Sequence, residues 1–367
     1  MEFKISSRKD SHIILSIKED VSARESTWFE YVRLVHQTVL DSALSDVSLS
    51  TKFFEKEVNA PIVISGMTGG TELAKKINAS LARIAGKFNI PMGVGSQRAA
   101  LEDRSLAHTF SVVREEAPEI PVIANIGMSQ VSSGLKREDI FYLVEMIQAD
   151  AIAVHLNPLQ EVLQPEGEPD FRNFTEKLRE FINASPVPVI LKQTGEGFSR
   201  ESAVKLLGLN IRGIDVGGLG GTSFAVIEGL RARLAGLFDV EKIADDFSSW
   251  GIPTAASILE VREVFPEILL ISTGGITTGL DVAKAIRLGA DFSGIARPVL
   301  KELHEGGIER AEKFLSTLLR ELRIAILLTG GVTLKDLRKA PIVIEGRLLE
   351  WIRQRNLKVP GWGYGAV

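Results

Sequence analysis

Residues 268–298 read ILLISTGGITTGLDVAKAIRLGADFSGIARP, two short apolar runs on either side of a segment with helical period. Neither run alternates polar with apolar residues, as expected of parallel strands covered on both faces. The middle segment has Thr or Gly near its N-cap, Asp281 in its first turn and Gly289 where a C-cap belongs. Both strands end in glycine and a polar or proline stop. This is one β/α unit followed by the strand of the next.

The same signal recurs upstream. Apolar runs of this kind are PIVISGMTGG (61–70), IPMGVGSQR (90–98), PVIANIG (121–127), AIAVHLN (151–157), PVILKQTG (188–195) and GIDVGGLGGT (213–222), which with ILLISTGGI and DFSGIARP make eight. Between the first two, LAKKINASLARIAGKF sets Leu73, Ile77, Leu81, Ile84 and Phe88 on one helical stripe. A doubly wound open sheet shares the local pattern, but eight successive units of fairly regular spacing favour closure into an α/β fold of the (β/α)8 TIM-barrel type. We expect a single domain over residues 1–367. An N-terminal extension (1–60) would lie over the barrel mouth, the barrel would run over about 61–328, and a C-terminal tail would occupy 329–367. A longer insertion, about Ser223 to Pro266, separates the sixth and seventh runs, and a long helix is expected over roughly Glu302–Leu328.

Composition bounds the function. A chain of 367 residues with 45% hydrophobic and 25% charged residues can fill a large core. A net charge of −4 argues against a general nucleic-acid binder while leaving room for a local basic pocket. The absence of cysteine excludes disulfides, thiolate metal sites and cysteine nucleophiles. The N-terminus has no apolar signal region and no stretch is long enough to span a bilayer, so a soluble, cytoplasmic protein is expected.

In such a barrel the chemistry sits at the C-terminal ends of the strands, often with a phosphate after strands seven and eight. Here those ends read STGGI and SGIARP, and the sixth adds GGLGGT. Glycines admit phosphate oxygens to backbone N–H groups, and the following helix starts favour an anion. The same glycines also suit tight turns alone. Gly274, Gly275, Ile276, Ile295, Ala296 and Thr222 are the candidate phosphate cradle. Ser65, Gly66, Met67, Thr68, Ser96, Asn125 and Lys192 stand at the other strand ends. A flavin needs amide and hydroxyl partners along one edge and a cation near the other, and Lys192 can be that cation. It can equally be an ordinary lysine in an ion pair.

The fourth run leaves its apolar stretch abruptly for HLNPLQE (155–161). With RKDSH (8–12), MTGG (67–70), GSQR (95–98) and GGLGGT (217–222), it resembles the type 2, flavin-dependent isopentenyl-diphosphate isomerases. The resemblance runs from residue 8 to residue 298. It implies an FMN-binding barrel that interconverts isopentenyl and dimethylallyl diphosphate with reduced FMN and Mg²⁺. NADPH would serve as the flavin's reductant, and the assembly would be a homo-tetramer or homo-octamer without nucleic-acid or membrane partners. By resemblance, Arg8, Lys9, Arg98, His155, Asn157 and Gln160 bind the substrate. Glu161 offers the metal a carboxylate oxygen, and Gln160, His155 and Lys192 are the catalytic candidates. An amide is a poor base, so Gln160 is read as orienting substrate or relaying a proton. His12 has no assigned role. Phe224 departs from the tryptophan seen at the end of this motif in many relatives.

Three other readings stand beside this one. An FMN-dependent oxidase of the α-hydroxy-acid type needs a histidine base at a late strand end, and the five histidines (12, 36, 108, 155, 304) leave only His155 at any strand end. An inosine-monophosphate-dehydrogenase-like barrel needs a cysteine nucleophile. A non-catalytic flavin-binding protein would explain the cradle but not HLNPLQE.

Overall fold

A computed structural model describes residues 8–361. Eight strands, β1 Ile62–Ile64, β2 Met92–Gly93, β3 Val122–Gly127, β4 Ala151–Leu156, β5 Val189–Gln193, β6 Gly213–Asp215, β7 Leu269–Ser272 and β8 Phe292–Ile295, close into one ring in chain order. Every neighbouring pair is parallel, including β8 with β1. The expected (β/α)8 barrel is the observed fold.

The helices follow from the local chemistry. We label α1 Arg8–Lys18, α2 Glu72–Phe88, α3 Pro158–Leu163, α4 Phe224–Leu234, α5 Phe238–Asp246, α6 Thr254–Val264, α7 Gly279–Leu288, α8 Arg297–Leu328 and α9 Gly346–Arg355. Thr71 caps α2 by accepting from the Ala74 amide, and Asn89 ends it in the left-handed conformation. The buried stripe of α2 contains Ile77, Leu81 and Ile84, whereas Leu73 and Phe88, at its two ends, are only partly covered. In α7, Thr278 and Asp281 form a reciprocal capping box. The helix expected over 302–328 begins earlier, at Arg297, directly after β8. It bends where Gly306 and Gly307 leave helical dihedrals, because two adjacent glycines resist helix propagation. The insertion before β7 is helical, consisting of α4, α5 and α6.

Of described residues 8–60, only part lies over the mouth, and Val32–Leu34 pairs instead with Ile342–Ile344 of the C-terminal tail. α1 lies at the mouth, where Lys9 and His12 face the cavity. The hairpin Thr51–Phe53 with Lys56–Val58 lies at the other end. Its Phe53 packs edge-on against Phe292, the first residue of β8, in one cluster with Val63, Ile123, Ala151, Ile190 and Ile271. This cluster fills the barrel interior. Truncating an aromatic that buried costs about 3–5 kcal/mol.

Two arginines tie helices to strands in the same way. Arg114 donates to the carbonyls of Pro118, Ile120, Ile147 and Gln148 and to the Asp150 carboxylate, which also accepts from the amide of Val122 in β3. Arg262 donates to Phe265, Pro266, Ile268 and Gly289 and to Asp291, which accepts from the amide of Leu270 in β7. The segments are VREEAPEI (113–120) and VREVFPEI (261–268).

Candidate active site

The strand ends enclose a cavity of about 550 Å³, within the range of cofactor and substrate sites. It is lined by Ser65, Gly66, Met67, Thr68, Ser96, Arg98 and Asn125, and by His155, Asn157, Gln160, Glu161 and Lys192. Thr222, Gly274, Gly275, Ile276 and Ala296 complete the far wall. Ile295 does not line it, since its side chain points into the core and its carbonyl accepts from the Ser65 amide. Arg8 begins α1, but its side chain lies outside the described residues.

Strand register explains the assembly of the reactive groups. His155 on β4 pairs with Lys192 on β5, and Lys192 with Asp215 on β6, so the three stand side by side around the ring. Lys192 Nζ donates to Asp215 Oδ2 at 2.8 Å and to Thr273 Oγ1 at 3.3 Å. Thr273 in turn donates to Asp215 Oδ1, which also accepts from the Gly217 amide. The ammonium is thus held in position by a buried carboxylate.

His155 is oriented by Asn125. Asn125 Nδ2 donates to the Val94 carbonyl at 3.0 Å, which fixes the amide so that its Oδ1 faces His155 Nδ1 at 2.8 Å. The proton therefore sits on Nδ1. Nε2 is then an acceptor in the neutral ring and a donor only in the imidazolium.

α3 starts with Pro158 at its first turn, directly after β4, and carries the rest of HLNPLQE. Asn157 Nδ2 donates to Gln160 Oε1 (3.1 Å) and to Glu161 Oε1 (3.0 Å), and Gln160 Nε2 donates to Glu228 Oε1 (3.0 Å). Glu228, on α4, has no exposed side-chain surface and also meets His12 Nε2 and Arg231. Burial alone would raise its carboxyl. The His12 bond, the Arg231 charge and the Gln160 amide outweigh that, and hold it below the usual carboxylate range. Glu161 Oε2 accepts from the Glu168 amide.

Cations ring the mouth. Lys9 Nζ donates to the Ser96 carbonyl at 3.1 Å and stands 5.4 Å above the Phe110 ring. Arg98 is engaged by Glu102 and by Glu168 (3.3 Å), which a phosphate would have to displace. Arg297, at the first turn of α8, donates to the carbonyls of Ser16 and Glu19 and to Ser22 Oγ, so it ties down the end of α1.

The glycine turns interlock. A Cβ on Gly274 would stand 1.9 Å from the Gly218 carbonyl oxygen, and one on Gly275 would stand 2.4 Å from that of Gly220. Both have positive φ, 104° and 78°. The turns after β6 and β7 thus pack backbone on backbone, and both line the cavity.

Comparison with known proteins follows this geometry. The pattern of the FMN-dependent dehydrogenase family matches residues 155–344. An isopentenyl-diphosphate delta-isomerase of Pyrobaculum islandicum is 47% identical over 96% of this chain and 99% of its own length. That of Aeropyrum pernix is 45% identical over 97% and 94%. The chain belongs to the flavin-dependent isopentenyl-diphosphate delta-isomerase family. Among solved structures, flavocytochrome b2 (TM-score 0.66, 16% identity, covering 95% of this chain and 85% of that one) and a mandelate oxidase (0.59, 17%, covering 93% and 92%) share the fold. At that identity the likeness concerns architecture only.

The residues present fit FMN. Ser65 Oγ, Thr68 Oγ1 and Thr194 Oγ1 are buried without a partner among the described residues, and all three residues line the cavity. A buried hydroxyl left unmet costs about 1–3 kcal/mol, so three at one site point to a polar ligand. The glycine cradle and the start of α8 lie on the side of β7 and β8, where a terminal phosphate fits.

Sequence reading passed over Glu228, Asp215 and Arg297. Asp215 had a signal, a carboxylate ending the strand next to Lys192. Glu228 had none, since it is a lone glutamate in a helix until folding sets it beneath Gln160.

Proposed function

We propose that this chain interconverts isopentenyl and dimethylallyl diphosphate by a 1,3-allylic proton shift, as the names of its close relatives indicate. The observation carrying the reading is that HLNPLQE, the basic N-terminal helix and the flavin cradle open onto one cavity. Reduced FMN, when bound, would supply acid–base chemistry suited to so weakly acidic a C–H bond. Ser65, Thr68 and Thr194 would meet its polar edge, Lys192 would neutralise its charge, and the turns after β6, β7 and β8 would take its phosphate.

The chain's own residues then hold the substrate. Lys9, Arg98 and Arg8 would take the diphosphate. His155 would donate through Nε2 as the imidazolium, a state the anion itself favours. Gln160 cannot turn freely, because its oxygen accepts from Asn157 and its nitrogen donates to Glu228. It would therefore orient the hydrocarbon end. Among the described residues no three His, Asp or Glu side chains converge on a metal site. Mg²⁺ would accordingly be held by the diphosphate and water, with Glu161 as the protein ligand.

NADPH as reductant, a homo-tetrameric or homo-octameric assembly and a cytoplasmic location complete the reading, with one barrel domain over 1–367. Among the described residues no helix is long and apolar enough to cross a membrane. The test is direct. Purified protein should be yellow, and its reduced form should convert isopentenyl diphosphate without net redox change. An enzyme that consumes 2-hydroxy acids and leaves the diphosphate untouched would instead be an oxidase.

A further inference from the structure

Two buried amide oxygens in the cavity wall stand without a donor. Asn157 and Gln164 are 4% and 6% exposed and both line the cavity, yet Asn157 Oδ1 and Gln164 Oε1 meet no partner among the described residues. A buried polar atom left unmet is costly, so each calls for a partner from outside the chain. The two residues flank α3, Asn157 just before its first residue and Gln164 just after its last. With Gln160 and Glu161 they fall at intervals of three and four positions, which sets all four on one face of the helix.

The network decides which way the amides turn. Asn157 Nδ2 has two hydrogens, and both are spent, on Gln160 Oε1 and on Glu161 Oε1. Only its oxygen is left for a ligand. Gln164 is held by its backbone amide, which donates to the Gln160 carbonyl at 2.9 Å. The chain then turns back over its stem at Gly167, where a Cβ would stand 2.9 Å from Gln164 Cγ. Between the two, Glu161 is aimed by Asn157 Nδ2 on Oε1 and by the Glu168 amide on Oε2 at 2.9 Å, and each oxygen keeps a lone pair. One carboxylate and two neutral amide oxygens thus stand along one short helix.

That chemistry selects the occupant. A diphosphate has acceptors only and its hydrocarbon has no polar hydrogen, so the substrate itself cannot satisfy an amide oxygen. The flavin's phosphate and polar edge are assigned to other strand ends. A hydrated divalent cation suits all three oxygens, because Mg²⁺ gives up water reluctantly and keeps several waters whose hydrogens point outward. The geometry points to Gln164 Oε1 and Asn157 Oδ1 as acceptors for the water shell of the cation that Glu161 holds. Gln164 is then a binding residue that acts through water. Two neutral oxygens strengthen the hold of a single carboxylate without adding charge that would repel the diphosphate.

The inference rests on the proposed metal–diphosphate substrate, and the experiment separates the two. Mn²⁺ takes the same octahedral oxygen geometry. Its complex with pyrophosphate is titrated into the FMN-loaded protein and followed by electron paramagnetic resonance, and metal-free pyrophosphate is titrated by calorimetry. We expect Gln164→Met to weaken binding of the Mn²⁺ complex about tenfold or more, as loss of an outer-shell partner does, and to leave metal-free pyrophosphate unaffected. Gln164→Glu keeps the acceptor and should bind the complex at least as tightly as the wild type. Without ligands, Gln164→Met should melt at or above the wild-type temperature, because it removes a buried polar atom that has no partner. A glutamine kept only for packing would instead melt lower in both variants and lose both forms of pyrophosphate alike, and that result overturns the assignment. Wild-type affinity of Gln164→Met for the Mn²⁺ complex also overturns it, and leaves the substrate reading standing. A wild type that binds pyrophosphate neither with nor without Mn²⁺ overturns both.

Discussion

His12 Nε2 lies 3.0 Å from Glu228 Oε1, so a residue from outside the repeating units contacts the carboxylate that positions Gln160. The N-terminal helix is thereby fastened to the chemistry of the fourth strand. Arg231 and Gln160 bind the same carboxylate. Removing its charge strands the Arg231 guanidinium and weakens the bonds to His12 and Gln160.

We therefore predict that Glu228→Gln lowers stability by about 3–5 kcal/mol, the usual cost of breaking a buried charge pair on one side. Because the folded carboxyl is held below its unfolded value of 4.5, its contribution is present above about pH 4.5 and is lost as pH falls through the folded value. Chemical denaturation between pH 3 and 7 should show that acid slope in the wild type and a shallower one in the variant. Identical slopes would make Glu228 a bystander.

The cradle should prefer a terminal phosphate. We predict that FMN binds at least tenfold more tightly than riboflavin, measured by fluorescence quenching on the apoprotein, since charge-assisted phosphate contacts are worth about 1.5–3 kcal/mol. Gly274→Ala should abolish the difference by forcing the Gly218 carbonyl aside. Equal affinity for the two flavins in the wild type counts against the phosphate assignment.

Glu161→Gln keeps the volume and the Asn157 contact but removes the charge. Mg²⁺-dependent turnover should fall sharply, while FMN content, read by absorbance, stays normal. An unchanged Mg²⁺ titration would move the metal's ligand elsewhere.

Arg8→Ala and Lys9→Ala should each weaken substrate binding by about tenfold or more, at about 1.5–3 kcal/mol per charge-assisted contact. Calorimetry with isopentenyl diphosphate reads the affinity. Lys9 also meets the Ser96 carbonyl and the Phe110 ring, so its variant should lose up to about 1 kcal/mol of stability as well. Wild-type affinity in both variants would leave the segment without a role in binding.

Much of this was legible before folding. The barrel was readable because eight apolar runs without alternation have few other architectures open to them. HLNPLQE was readable because polar residues at the end of a buried strand have nowhere to go but a pocket. What stayed hidden depends on contacts between distant segments. Ile295 illustrates this, since the strand end SGIARP suggested a cradle residue, yet alternation along the strand turns its side chain into the core. Glu228 and Arg297 acquire partners 216 and more than 270 positions away. The start of the last long helix was misplaced because a proline at its second position permits the first turn.

The paired arginine clamps have one more consequence. β3 and β7 stand four places apart in a ring of eight, so Arg114 and Arg262 occupy opposite walls. A half-turn about the barrel axis carries one segment, with its aspartate, onto the place of the other. The two walls thus carry the same clamp, while the mouth does not repeat. At corresponding positions one half presents Asn125 beneath a histidine and the other presents Thr273 beside a lysine and a glycine turn. The same clamp braces opposite walls, and what each wall holds at the mouth is set by the residues in which the two strand ends differ.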